Sequence, residues 1–393
     1  MYQVQQQFMT ASERLLHTLP DPLPLWRGGV LSPVTLAYET WGTLSPACDN
    51  VVLVLHALTG DSHAAGGSST EYPKGGWWEP LIGPGRAFDT DRYYVICSNV
   101  LGGCQGSTGP ASVNPETGTP YGIDFPVVTV QDMVRAQREL LSSLGIRRLA
   151  AVAGGSIGGM QALEWVVRYP DDVDAALLFG ASERIGPQAI AFNSIGRDAI
   201  RLDPAWKDGR YEPGEGPTGG LALARMIGMV TYQSQQSMWL RFGRELASRP
   251  TTTSPLGEKF DVEGYLEYQG RSLVRRFDAN SYLYLTRAMD LYDVAEGWES
   301  EEEALARVKA RTLHVGISTD WLYPPEDVRA LAEKLRAAGS DARYAQIESV
   351  HGHDAFLKEW DVMTSTIRGY LDGGGDGLPG INAEARLPVT RPA

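Results

Sequence analysis

The stretch Gly154-Gly155-Ser156-Ile157-Gly158 decides how the rest of the chain is read. The apolar run LAAVA at 149–153 precedes it and reads as a buried strand. MQALEWVV at 160–167 reads as a helix, and Tyr169-Pro170 closes it, because proline disfavours helical backbone in the residue before it. A serine between glycines on a sharp strand-to-helix turn stands out from the sheet edge, at the positive end of the following helix. Only small neighbours let strand and helix approach so closely. Ser156 is the candidate nucleophile.

On the N-terminal side, VVLVLH at 51–56 reads as a strand buried on both faces, followed by the loop ALTGDSH at 57–63. VTLAYETW (34–41), YYVICS (93–98) and VDAALLF (173–179) read as further strands. The Gly/Pro/Asn/Thr-rich segment 100–126 is a long loop of the kind that is usually functional. Thr129 opens a helix with Asp132 at N3, a variant of the capping box. Met133, Val134, Leu140, Leu141 and Leu144 mark its apolar stripe, and Gly145 ends it. Beyond residue 181 the strand–helix alternation stops, and 182–300 reads as mostly helical with polar breaks at 205–218 and 248–258. It resumes with TLHVGI (312–317), a helix from Pro325 with Val328, Leu331 and Leu335 inward, and RYAQI (343–347). A last helix is expected to carry Phe356, Trp360, Met363, Ile367 and Leu371. Such alternation implies a mostly parallel sheet with helices on both faces. With the serine turn, it is the pattern of the α/β-hydrolase fold. Residues 1–181 and 301–372 are expected to form its core, 182–300 a helical lid, and 373–393 a flexible C-terminal tail.

A serine hydroxyl needs a base, and the base an orienting acid, which in this fold follow in the order Ser, Asp or Glu, His. Asp320 lies just past the strand at 312–317, at its carboxyl end, where the sites of open α/β sheets gather. Asp327 competes weakly, since the first turn of a helix gives an acid a capping role. Of the six histidines, only His351 and His353 follow the final strand. Spacing does not choose between them, and as a metal-binding pair they lack an obvious third ligand nearby. His314 lies mid-strand and reads as a core residue. Two backbone N–H groups must bind the oxyanion: that of Ile157, and one from the loop after the early strand, Leu58 or a neighbour.

Composition narrows the function. The 393 residues are 43% hydrophobic and 21% charged, and the net charge of -13 argues against a basic nucleic-acid-binding surface. Cys48, Cys97 and Cys104 form neither a disulfide framework nor a zinc spacing, which fits a reducing cytoplasm. Residues 1–9 are glutamine-rich and lack the regions of a signal peptide, and no run has the ~20 apolar residues of a membrane span.

The motifs extend well beyond the turn. LHALTGDSHAAG (55–66), DTDRYYVICSNVLGGCQGSTGP (89–110), DFPVVTVQDMVRAQ (124–137), GGSIGGMQALEW (154–165), GLALARMIGMVTYQS (220–234), RFDANSYLYL (276–285), STDWLYPP (318–325) and HGHDAFL (351–357) together resemble the homoserine O-acetyltransferases, acyl-CoA-dependent enzymes of methionine biosynthesis. The resemblance implies a triad of Ser156, Asp320 and His353, so it resolves the histidine pair, and it places the oxyanion donors on Leu58 and Ile157. It further implies that Arg225 meets the amino-acid carboxylate, that Asp354 meets its ammonium, and that Tyr232 lines the same pocket. L-Homoserine and acetyl-CoA are then the substrates, with no bound cofactor and no metal, in a cytoplasmic homodimer. Ile157 stands where the family usually has Met, and its side chain is expected to line the acyl pocket. A succinyl donor and a serine acceptor are the variants that close relatives use. A serine ester hydrolase with the same triad is the competing enzyme. A non-catalytic binding module is opposed by the intact set of Ser156, Asp320 and His353.

Overall fold

The computed structural model describes residues 13–70, 72–212, 214–247 and 258–373. All but Gly373 of the expected tail at 373–393, residues 1–9 and nearly all of the polar break at 248–258 lie outside them. Eight strands form one sheet: β1 (Leu15–Thr18), β2 (Thr35–Trp41), β3 (Val51–Leu55), β4 (Tyr94–Ser98), β5 (Ala151–Gly155), β6 (Ala175–Phe179), β7 (Arg311–Ile317) and β8 (Ala342–Ile347). Their order is β1-β2-β4-β3-β5-β6-β7-β8. β1 and β2 pair antiparallel, as do β2 and β4. All pairings from β4 onward are parallel, so the carboxyl ends of β3 to β8 share one edge.

The central strands are buried along their whole length because both faces are covered. Val51, Leu53 and Leu55 point into one apolar layer, and Val52 and Val54 into the other, the two-residue period of a strand. The first layer packs under helices α1 (Val130–Ser143), α2 (Ile157–Arg168) and, further on, Leu331 and Leu335 of the helix at Pro325–Ala337. The second holds Trp78 and Phe88 with Met363 and Ile367 of the helix Trp360–Leu371. The capping box of α1 is formed: Asp132 N donates to Thr129 Oγ1, and Thr129 N to Asp132 Oδ2 at 2.9 Å.

Between β6 and β7 lie α3 (Pro187–Arg201), α4 (Thr218–Tyr232), α5 (Gln235–Phe242), α6 (Asp261–Val274) and α7 (Ala279–Leu291). α8 (Glu301–Ala306) leads into β7, α9 (Pro325–Ala337) joins β7 to β8, and α10 (Trp360–Leu371) ends the described chain. Phe356 does not belong to the last helix as the spacing suggested. It sits on a separate 3-10 turn, Gly352–Leu357, and Lys358-Glu359 break the path before α10. β1 has no counterpart among the strands read from the sequence. It is a four-residue edge strand with mostly exposed side chains, so burial left no pattern on it.

Candidate active site

Four of the parallel strands deliver the site at one sheet edge. β5 runs two residues beyond the apolar run, through Gly154 and Gly155, into Ser156. Ser156 has φ 58° and ψ -127°, a conformation that L residues avoid, and α2 starts at the next residue. The strain is held by packing: a Cβ on Gly154 would stand 2.8 Å from the Leu55 carbonyl oxygen, and one on Gly158 would strike the same carbonyl. Ser156 N donates to Phe179 O at 2.9 Å, which ties the turn to β6.

Asp320 follows β7 and His353 follows β8, on the 3-10 turn Gly352–Leu357. His353 Nδ1 lies 2.6 Å from Asp320 Oδ2, and both residues are buried. The other carboxylate oxygen, Oδ1, accepts from Leu322 N at 2.9 Å and Tyr323 N at 3.1 Å. With Nδ1–H donating to a carboxylate, Nε2 is the ring nitrogen left to take a proton. Burial pulls the His353 pKa down, but the charge of Asp320, its hydrogen bond and the nearby Asp354 outweigh it and hold the value above 6.5. His351 instead lies with Nε2 4.0 Å from Glu359 Oε1, away from this pair. Among the described residues no three His, Cys, Asp or Glu side chains are grouped to hold a metal. His314 is fully buried in β7, with Nε2 3.0 Å from Thr312 Oγ1, and burial pushes its pKa down to about 3.

The loop after β3 is fastened by two buried histidines. Val100 N donates to His56 Nε2 at 3.0 Å, which leaves Nδ1–H to donate to Ala57 O at 2.8 Å. His63 Nδ1 lies 2.8 Å from Glu39 Oε2, and Ser62 Oγ donates to Oε1 of the same carboxylate at 3.0 Å. Leu58 is thereby held beside Ser156, in the wall of one pocket. Ile157 is the first residue of α2, so its N–H has no partner within the helix. Its side chain packs into the core and is not among the residues lining the pocket, contrary to the expectation that it shapes the acyl site.

The pocket encloses about 100 Å³. Ser156, His353 and Leu58 line it together with Arg225 and Tyr232 of α4 and Asp354. Arg225 Nη1 donates to Thr59 Oγ1 at 3.3 Å, and its guanidinium lies 5.7 Å from the Tyr232 ring centre. Asp354 Oδ2 accepts from Gln233 Nε2 at 2.7 Å and Lys358 Nζ at 3.3 Å. Burial raises the Tyr232 pKa, and Arg225 partly offsets it, so the phenol stays protonated. Sequence reasoning missed Asn193, Tyr282, Met289 and Tyr323, which also line the pocket. For the first three, on helices of the 182–300 segment, no chemical pattern marked them. Tyr323 was within reach, three residues after Asp320 in STDWLYPP.

A strained serine at the end of a parallel strand, sharing a pocket with an Asp–His pair from two later strands, is the arrangement of serine-nucleophile enzymes on the α/β-hydrolase scaffold. A family model described as α/β hydrolase fold matches residues 50–359. A homoserine O-acetyltransferase of Symbiobacterium thermophilum is 56% identical over 358 residues, covering 90% of this chain and 93% of that protein. The homoserine O-acetyltransferase of Geobacter sulfurreducens is 51% identical over 354 residues, with 90% and 95% coverage. Among solved structures, homoserine O-acetyltransferase from Bacillus anthracis superposes with TM-score 0.85 at 32% identity, over 95% of this chain and 100% of that one. Esterase E22 does so with TM-score 0.83 at 32% identity, over 91% and 99%. The chain belongs to the homoserine O-acetyltransferase family of α/β hydrolases.

Proposed function

We propose that this chain transfers the acetyl group of acetyl-CoA to the side-chain hydroxyl of L-homoserine, in two steps through Ser156. His353 Nε2 takes the Ser156 proton as Oγ attacks the thioester carbon, and Asp320 holds the imidazole and offsets the charge it gains. The N–H groups of Leu58 and Ile157 receive the oxyanion. CoA leaves as the thiol with the proton from His353. The homoserine hydroxyl then gives its proton to His353 and attacks the acyl carbon, and Ser156 Oγ is released and reprotonated.

The observation that carries this reading is that one small pocket holds the serine, a cation and an anion. Arg225 and Asp354 suit the two charges of an α-amino acid, which a dry site must meet or carry a desolvation penalty. Among the described lining residues Arg225 is the single Arg or Lys, so a succinyl carboxylate would compete with the acceptor for it; this favours acetyl. The names of the relatives agree. The helices at 182–300 act as a lid that limits water, and Tyr232 lines the acceptor side. No bound cofactor enters these steps. A second reading, ester hydrolysis, is favoured by the likeness to esterase E22.

A cytoplasmic location is part of this proposal, in keeping with the free cysteines. No described helix is long and apolar enough to cross a membrane. It is proposed to act as a homodimer through the 182–300 helices. Eight of the fourteen large exposed apolar side chains among the described residues, Trp239 and Leu240 included, lie on that segment. The test of the reaction is a product matrix, with acetyl-CoA and succinyl-CoA against homoserine, serine and water, read by mass spectrometry. O-acetylhomoserine should dominate. Acetate as the main product in the presence of homoserine would favour the hydrolase.

A further inference from the structure

Tyr323 contacts both Asp320 and His353 and lines the same pocket as Ser156. Its N–H donates to Asp320 Oδ1 at 3.1 Å. Its ring lies along that of His353, centroids 5.1 Å apart and planes 22° from parallel. The residue is 3% exposed and lines the pocket beside Ser156. Its Oη is buried and makes no hydrogen bond of regular geometry. Burial, and then the charge of Asp320, raise the pKa of the phenol far above neutrality, so it keeps its proton; the Ser156 hydroxyl acts on it in the opposite sense. What sets this hydroxyl apart from other unpartnered buried groups is its place in the pocket that also holds Ser156 and His353, where an oxygen becomes charged during the proposed reaction.

We propose that Tyr323 Oη–H is a further catalytic donor that hydrogen-bonds Ser156 Oγ while that oxygen departs from the acyl group. The two half-reactions make unequal demands on such a donor. In the first the leaving atom is a thiol sulfur, which carries negative charge readily. In the second it is the serine oxygen, an alkoxide of much higher basicity. The acceptor oxygen bonds to the acyl carbon after its proton passes to His353 Nε2. The bond from the acyl carbon to Ser156 Oγ breaks, and the proton of His353 returns to Oγ. Tyr323 steadies the charge on Oγ before that proton arrives and retains its own. It works on the leaving oxygen and so serves any acceptor alike.

The inference rests on the acyl-serine reading of the site. The test is Tyr323→Phe, which keeps the ring on His353 and the backbone bond to Asp320 and removes only the hydroxyl. Rapid-quench mass spectrometry follows acylation by acetyl-CoA and discharge of the label by homoserine and, separately, by water. Discharge should slow by about 10- to 100-fold for both acceptors, the worth of a hydrogen bond to a charged atom, while acylation changes much less. Labelled enzyme should therefore accumulate at steady state. Unchanged discharge, an equal slowing of both half-reactions, or slowing with homoserine alone would each overturn the proposal. A wild-type enzyme that never carries the label would instead overturn the acyl-serine reading itself.

Discussion

Around His353 and Asp320 the polar contacts are short: 2.6 Å between the two side chains, and 2.9 and 3.1 Å from backbone N–H groups to the carboxylate. At Arg225 and Asp354, in the same pocket, the bonds run between side chains. Arg225 reaches only the Thr59 hydroxyl, at 3.3 Å, and Asp354 is held by Gln233 and Lys358 rather than by Arg225. The first region rests on sheet-edge backbone, where strained geometry is fixed by packing. The second is carried by a helix between β6 and β7 and by the residue after His353. In the proposed mechanism the boundary between them is where the two half-reactions divide. On the proposed reaction the Asp320–His353 pair is already formed, Asp354 is already bonded by Gln233 and Lys358, and Arg225 holds a neutral hydroxyl that a substrate carboxylate would replace. If Arg225 binds the acceptor as proposed, it exchanges a neutral hydroxyl for a carboxylate, a stronger charge-assisted partner.

Removing the nucleophile should show the largest effect. Ser156→Ala is expected to lower turnover on the order of 10³-fold or more and to abolish acyl labelling. The fold should survive, since only a hydroxyl is lost. Near-normal turnover would detach the strained turn from the chemistry. His353→Ala should match it, because the base serves both half-reactions, whereas His351→Ala should do far less. A reversal of that order in steady-state rates would mean that the wrong histidine has been paired with Asp320.

Arg225→Ala separates the acceptor side of the pocket from the triad side. Acetyl-CoA should still label Ser156, but transfer to homoserine should fall about 10²-fold for a lost charged contact of ~3 kcal/mol. An acceptor lacking the carboxylate should lose far less, as read by single-turnover decay of the label. Equal losses for both acceptors would show that Arg225 supports the helix and does not read the substrate.

A smaller effect concerns pH. His353 must be neutral to act as base, and its pKa in the folded enzyme lies above 6.5 because Asp320 outweighs burial. Acylation should therefore fall as pH drops through a midpoint above 6.5. Asp320→Asn removes that charge, so its weakened residual activity should titrate at lower pH. An acidic limb that does not move between the two enzymes would assign it to another group.

Much of the fold and of the triad is legible in the amino-acid sequence. The continuous apolar run VVLVLH and the other strand stretches read from the sequence place β3 to β8 within about two residues, since a strand covered on both faces is apolar along its length. Ser156 is readable because the turn dictates its neighbours. Asp320 is readable because strand ends gather sites. The choice of His353 over His351 is not, since both follow β8 and only the 3-10 turn decides which ring meets Asp320. Arg225 is likewise illegible from spacing: nothing in a helix 69 residues beyond Ser156 announces a shared pocket. The reading of Ile157 fails for a related reason. Its backbone is at the elbow, but the first turn of α2 directs the side chain into the core. Short or interrupted elements, β1 and the turn at Phe356, leave too little periodicity to read.

The timing of CoA release tests the two-step route through Ser156 most directly. Enzyme at substrate concentration is mixed with acetyl-CoA alone, and free thiol and the mass of the peptide containing Ser156 are followed together. One equivalent of CoA should appear with an acetyl adduct on Ser156, and later addition of homoserine should clear the adduct into O-acetylhomoserine. Absence of both thiol and adduct until homoserine is present would contradict the two-step mechanism and favour direct transfer within a ternary complex.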